Sequence, residues 1–268
     1  MDQYGRLLWL IPLGFLAGGY GTLIGAGGGF ILAPALLLLY PSDAPETITS
    51  ISLATVFLNA LSSTFAYAKA KRIDYKTGLI FSLATMPGAV LGAMATTAMS
   101  RAWFDPLFGL LLVLVALFLA VNPPKKGAGR IAQIEFPTKT ISECSTTNLL
   151  LGIVLSTGFG FISSFLGIGG GFLYVPALVY LLRFPVHIAT ATSLFVLTIT
   201  AFTGSATHVA TGLFHHGIRR AIALSIGAIL GAQAGARLSQ RIHGEWIVRS
   251  LALALALVGA RLMVSSLW

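Results

Sequence analysis

The sequence predicts an all-α, polytopic membrane protein of about 8–10 hydrophobic helices in two homologous repeats. Three observations carry this. Hydrophobic residues make up 56% of the 268-residue chain and charged residues only 9%, where a soluble domain has roughly 25% charged. Apolar runs of membrane-spanning length follow one another along the chain. A glycine-rich element occurs twice, each time in the same context. The mean hydropathy of +0.88 also excludes a disordered chain, which needs low hydrophobicity and high charge.

A membrane helix needs about 20 apolar residues. Runs free of Asp, Glu, Lys and Arg cover 7–42, 47–68, 77–100, 106–124, 145–182, 184–218, 221–236 and 250–260, the last continuing past Arg261 to Trp268. The first follows Arg6 with no small-residue cleavage site, so it reads as a retained membrane segment. Its length is about 54 Å as one straight helix, against a hydrocarbon core of about 30 Å. It must therefore break, and the break is expected at Gly25-Ala26-Gly27-Gly28-Gly29.

Between Pro123 and Ser142 the chain turns polar, with Pro123, Pro124, Lys125, Lys126, Arg130, Glu135, Pro137, Lys139 and Glu143 just beyond. This linker divides the chain into a first transmembrane repeat (1–122), a polar segment (123–144) and a second repeat (145–268). The halves correspond in three places. Gly25-Ala-Gly-Gly-Gly-Phe-Ile-Leu-Ala-Pro34-Ala-Leu answers Gly167-Ile-Gly-Gly-Gly-Phe-Leu-Tyr-Val-Pro176-Ala-Leu. Ser52-Leu53 answers Ser193-Leu194, and Gly88-Ala-Val-Leu-Gly92-Ala answers Gly227-Ala-Ile-Leu-Gly231-Ala. Gly88, Gly92, Gly227, Gly231 and Gly235 are expected to let helices pack closely. Three consecutive glycines are expected to break a helix rather than pack it, with the alternative that they only allow a tight crossing of two helices.

The doubled glycine element, with its following Ser/Thr-rich and G-A-x-L-G-A helices, resembles the TauE/SafE family, also called the 4-toluene sulfonate uptake permeases. The resemblance covers nearly the whole chain apart from the linker. It implies a transporter of sulfur-containing anions such as sulfite or sulfonates, set in the inner membrane of a bacterial cell.

Phe30 to Leu39 and Phe172 to Leu182 read as half-helices starting at the glycines, with Pro34 and Pro176 expected near their first turns. Initial helix N–H groups lack internal partners and carry partial positive charge. In lipid they must be satisfied, and an anion between two such ends would do this without a buried lysine or arginine. The expected substrate-binding residues are Gly25, Gly27, Gly28, Gly29, Gly167, Gly169, Gly170 and Gly171, with Ser52, Thr55, Asn59, Thr192 and Ser193 as a second layer. Ser50, Thr190 and Thr200 lie on the same two segments. Each hydroxyl has the alternative of a plain interhelical hydrogen bond.

His187 and His208 lie near the beginning and the end of the run that starts at Phe184, and His208 is the candidate for proton coupling. Arg183 reads as a surface arginine or an entry guide for anions. His215-His216 does not read as a metal pair, because adjacent residues do not share a helix face. The single cysteine, Cys144, excludes an intrachain disulfide and a thiolate metal cage. No nucleophile elbow, His-Glu-x-x-His motif or phosphate-binding loop is present, so no enzymatic activity and no cofactor are expected.

The net charge of +9 and pI near 10.1 fit basic cytoplasmic loops, not nucleic acid. Lys69, Lys71, Arg72 and Lys76 crowd one loop, and Lys125, Lys126, Arg130 and Lys139 crowd the linker. Two hydrophobic segments separate them, so loop 69–76 and linker 123–144 share a side, expected to be cytoplasmic. Inverted repeats are favoured over parallel ones. The expected partners are a small anionic substrate, the lipid bilayer, protons as a possible coupling ion and a possible second copy of the chain. A passive anion channel and a non-transporting scaffold stand as alternatives.

Overall fold

The computed structural model describes residues 3–121, 146–182, 184–212, 217–239, 241–242 and 244–265. The linker 123–144, Arg183 and His215-His216 lie outside the described residues. All regular structure among the described residues is helical. In order these are α1 (Gln3–Ile24), α2 (Gly29–Leu39), α3 (Pro45–Lys69), α4 (Tyr75–Thr96), α5 (Arg101–Val121), α6 (Thr146–Leu166), α7 (Gly171–Pro176), a π-helix (Ala177–Leu181), α8 (Val186–Ala210), α9 (Ile218–Ser239) and α10 (Gly244–Ser265). Among the described residues seven helices are long and apolar enough to cross a membrane, and shorter apolar stretches lie at 29–39, 152–166 and 171–181.

Local chemistry sets the helix ends. Each glycine turn stops one helix and starts the next through a left-handed cap, Gly28 before α2 and Gly170 before α7. Pro45 opens α3, where a missing N–H costs nothing. The Asp74 carboxylate caps α4, accepting from the Lys76 and Thr77 N–H groups at 3.1 and 3.2 Å. Arg101 serves the other end of α2: its guanidinium donates to the carbonyls of Leu37, Tyr40, Pro41 and Asp43. Arg220 pairs with Asp43 and lies 3.9 Å from the Tyr40 ring centroid.

Helix packing follows the small residues. On α1, Gly14 lies against Leu224, Gly18 against Ala228 and Gly19 against Gly231 and Gly235 of α9, so the two helices run parallel. On α4, Thr85 lies against Gly160, Gly92 against Phe161, and the Thr96 hydroxyl donates to the Phe165 carbonyl at 2.9 Å, so α4 and α6 are also parallel. In contrast, α3 and α8 are antiparallel, with Thr64 hydrogen-bonded to Thr198 and Phe57 against Phe202. So are α5 and α10, where Gly109 meets Met263 and Val113 meets Gly259. The expected packing glycines do pack: a Cβ on Gly88, Gly92, Gly227, Gly231 or Gly235 would overlap a backbone carbonyl of the neighbouring helix.

The helices α3 and α8 form the enclosed centre. Outside, Leu16, Leu83, Leu91, Leu117, Leu253 and Leu257 are exposed, which suits hydrocarbon and not water. Trp9, Trp103 and Trp246 are exposed near the starts of α1, α5 and α10, where amphipathic rings suit the membrane interface.

Two details differ from the expectation. Pro34 is the sixth residue of α2, beyond its first turn. Pro176 ends α7, after which the chain widens into the π-helix. The half-helices are therefore unlike: α2 is regular throughout, while its counterpart changes pitch at the proline.

Overpacking typically costs about 1–3 kcal/mol. Gly92→Ala is expected to lower the melting temperature of the detergent-purified protein. Gly158→Ala, where a Cβ meets nothing within 4 Å, is expected to leave it unchanged or raise it. Differential scanning fluorimetry of both variants checks this.

Candidate functional site at the crossed glycine turns

The two glycine turns meet at the middle of the molecule. Both press on the same residues, Val56 of α3 and Leu197 of α8, each about half-way along its helix. Gly25, Gly27 and Gly28 have φ of 80°, 73° and 80°, and Gly167, Gly169 and Gly170 have 70°, 87° and 77°. An L side chain in that region costs roughly 1 kcal/mol or more. Glycine is thus required at six positions by backbone shape alone.

The turns are built by the same hydrogen bonds. In the first, the N–H groups of Ala26 and Gly27 donate to the Gly21 carbonyl and that of Gly25 to the Thr22 carbonyl. In the second, Ile168 and Gly169 donate to Ser163 and Gly167 to Ser164. Ile31 and Leu32 donate to Gly28, as Leu173 and Tyr174 do to Gly170. One set remains. Among the described residues no acceptor reaches the N–H groups of Gly28, Gly29 and Phe30, nor those of Gly170, Gly171 and Phe172.

Hydroxyls tie each turn to the opposite half. Ser52 Oγ donates to the Gly167 carbonyl at 2.6 Å, and Ser193 Oγ donates to the Gly25 carbonyl at 2.9 Å. Asn59 Nδ2 donates to the Gly27 carbonyl at 3.1 Å and to Thr22 Oγ1 at 3.3 Å, while its Oδ1 is buried without a partner. All of these side chains are fully buried, and among the described residues no lysine or arginine is buried with them. The centre therefore offers neutral donors only.

The structure brings together the eight glycines with Ser52, Asn59 and Ser193. It does not bring Thr55 or Thr192 to them through a hydrogen bond: Thr55 donates to Ile51 of its own helix at 2.9 Å, and Thr192 Oγ1 accepts from the Asp74 N–H at 3.0 Å beside the start of α4. Ser50 and Thr190 also bond their own helices, to Glu46 and Val186, and Thr200 bonds Thr85 across α4 and α8. His208 is buried in the last turn of α8, about 16 Å along the helix from Leu197. His187 sits half-buried at the opposite end of α8.

The expected division between helix-breaking and packing glycines does not hold. A Cβ on Gly28 would stand 2.5 Å from the Ala17 carbonyl oxygen, and one on Gly171 the same distance from the Gly25 carbonyl oxygen. Gly29 backs onto the Ile168 carbonyl in the same way. Gly29 and Gly171 thus let the two turns cross at backbone distance, while Gly28 packs against its own preceding helix. Sequence reasoning missed the network beside them, where Thr22 Oγ1 and Ser63 Oγ lie 2.6 Å apart and Tyr67 Oη donates to the Thr22 carbonyl at 3.2 Å. Its signal was present: Asn59, Ser63 and Tyr67 follow at intervals of four, on one helix face.

With this geometry in hand, the comparisons with known proteins are specific. Residues 10–262 match the family model described as Sulfite exporter TauE/SafE, and the chain belongs to that family. It is 33% identical to the probable membrane transporter protein YunE of Bacillus subtilis (strain 168), over 97% of this chain and 98% of that one. It is 26% identical to the probable membrane transporter protein MJ0441 of Methanocaldococcus jannaschii, over 93% and 92%. No solved structure matches. The protein is thus a multi-pass membrane protein of a transporter family, and neither the family nor these relatives are enzymes.

Stripping a buried carbonyl of its donor typically costs about 1–3 kcal/mol. Ser52→Ala and Ser193→Ala are each expected to lower the melting temperature by a similar amount, because each frees one carbonyl of the opposite turn. A Thr55→Ala control, which breaks only a bond within its own helix, is expected to melt nearer the unsubstituted protein. Fluorimetry of the three variants tests this.

Proposed function

We infer that the chain is a secondary carrier of a small sulfur oxyanion, sulfite or a sulfonate, bound where the two glycine turns cross. The observation that carries this is the set of six unpartnered N–H groups at the buried starts of α2 and α7. Such donors need an acceptor inside a bilayer, and an anion is the acceptor that gains most from charge-assisted hydrogen bonds. The absence of buried cations from the described centre suits release as well as binding. The family description, sulfite exporter, supports the sulfur chemistry.

In this reading the halves are inverted repeats. Equivalent helices α3 and α8 run antiparallel, as do α5 and α10, which supports the inverted arrangement. A carrier built this way can exchange the conformations of its two halves and so alternate access around a fixed site. Loop 69–76 and linker 123–144 then face the cytoplasm, with Arg237 and Arg241. The membrane is taken to be the inner membrane of a bacterial cell. His208 is the coupling group if protons drive the cycle.

Ligand binding to the native state stabilises it by about 2.7 kcal/mol at a hundredfold excess over Kd. Sulfite or a small sulfonate is expected to raise the melting temperature of the purified protein in a saturable way, while chloride at equal ionic strength does not. Equal shifts with every salt, or none with any sulfur anion, overturn the reading. Saturable uptake of the same anion into proteoliposomes separates a carrier from a channel, and no flux at all would indicate a scaffold.

Sidedness is checked in a Cys144→Ser background. Lys71→Cys is expected to react with an impermeant maleimide only when the cytoplasmic face is open to it. Labelling in intact cells would reverse the orientation.

A further inference from the structure

The matching hydrogen bonds of the two turns align the halves residue by residue. Gly21 and Thr22 stand where Ser163 and Ser164 stand, because their carbonyls accept the equivalent turn N–H groups. Ser52 and Ser193 stand in equivalent places, since each donates to the opposite turn. Stepping along α3 and α8 from those serines pairs Asn59 with Thr200, Ser63 with Gly204, and Tyr67 with His208.

The two halves then differ sharply in how their polar groups are satisfied. In the first, Thr22, Asn59, Ser63 and Tyr67 form a connected network. In the second, glycine replaces the serine that would answer Ser63. Histidine replaces the tyrosine, and an imidazole reaches less far from the backbone than a phenol. Among the described residues Ser164 Oγ and both ring nitrogens of His208 are then buried without a partner, and so is the adjacent Ser163 Oγ. They form a series. Ser163 Oγ lies 3.0 Å from where a Cβ on Gly170 would stand, and Ser164 Oγ lies 2.6 Å from the same point on Gly204. His208 follows one turn further along α8, toward the Gly212 end.

We propose that Ser163, Ser164 and His208 line a hydrophilic passage for the small anion, running from the second glycine turn to the Gly212 end of the bundle, and that the first half has no counterpart. This rests on the anion reading above. Two hydroxyls and an imidazole can each donate to an oxyanion or to its water, and orphaned polar groups buried together are the places where water enters a protein interior. The network around Thr22, bonded throughout except for Asn59 Oδ1, holds the first half closed at the equivalent position. Access is therefore one-sided in chemistry even though the scaffold is doubled.

The chain has a single cysteine, so a Cys144→Ser background makes the test direct. Ser163→Cys, Ser164→Cys and His208→Cys are compared with Thr22→Cys and Ser63→Cys in membranes. The probes are an anionic methanethiosulfonate carrying a sulfonate and a cationic one carrying a quaternary ammonium. The passage variants are expected to react at least tenfold faster with the anionic probe than the two network variants do, and faster than with the cationic probe. Reaction no faster than the network variants, or faster with the cation, overturns the proposal. Ser164→Ala provides a second measurement on a conservative change. Removing a dry orphaned hydroxyl would raise the melting temperature, whereas removing a hydrated one leaves it level or lower, so a rise also overturns the proposal. The sulfite-induced melting shift of the Cys144→Ser protein separates the two readings. A shift with unreactive cysteines defeats the passage alone. Reactive cysteines without a shift uphold the passage and defeat the sulfur-anion assignment.

Discussion

A helix that breaks inside a bilayer exposes backbone groups where no water can reach them, and the molecule is organised around satisfying two such breaks at once. Each turn folds three or more of its groups onto the carbonyls of its own preceding helix. Each also receives a serine hydroxyl from the opposite half, Ser52 for the second turn and Ser193 for the first. The remaining donors, at Gly28 to Phe30 and Gly170 to Phe172, all lie at the buried starts of α2 and α7. The rest of the helices hold this crossing in place.

The crossing demands close approach, and close approach explains the glycine usage. Gly29 backs on Ile168, and Gly171 on Gly25. The parallel pairs α1 with α9 and α4 with α6 use the same economy of side chain further out, through Gly231, Gly235, Gly88 and Gly92. Within lipid there is little hydrophobic force between helices, so van der Waals contact between backbones has to supply much of the association. Charged groups stay at the ends. Arg101 gathers the carbonyls at the end of α2, and the Arg220–Asp43 pair ties the α2–α3 loop to the start of α9. These fix the outer end of α2 while its inner end meets the turns.

The two halves of the chain are not chemically equal. The Thr22, Asn59, Ser63 and Tyr67 network is bonded throughout except for one amide oxygen. Among the described residues Ser164 and His208, which match Thr22 and Tyr67, have no partner, and neither has the adjacent Ser163. The regular α2 likewise faces a counterpart that widens to a π-helix at Ala177, and such irregularities recur at functional sites. Both departures fall in the second half.

The sequence by itself determined the membrane class, the helix runs, the two breaks and the family. Hydropathy and glycine doubling are local properties that need no partner to be read. It also singled out Ser52, Asn59 and Ser193 as candidate ligand residues, and the structure places their hydrogen bonds on the turn carbonyls. Only the tertiary structure decided which hydroxyls turn inward. Thr55 and Thr192 share composition and segment with those three, yet Thr55 bonds its own helix and Thr192 the Asp74 N–H, because helix rotation and the neighbour at each face set the direction. The close backing of Gly29 on Ile168 and of Gly171 on Gly25 was equally illegible as a pairing, because each carbonyl that leaves no room for a Cβ belongs to a segment distant in the chain.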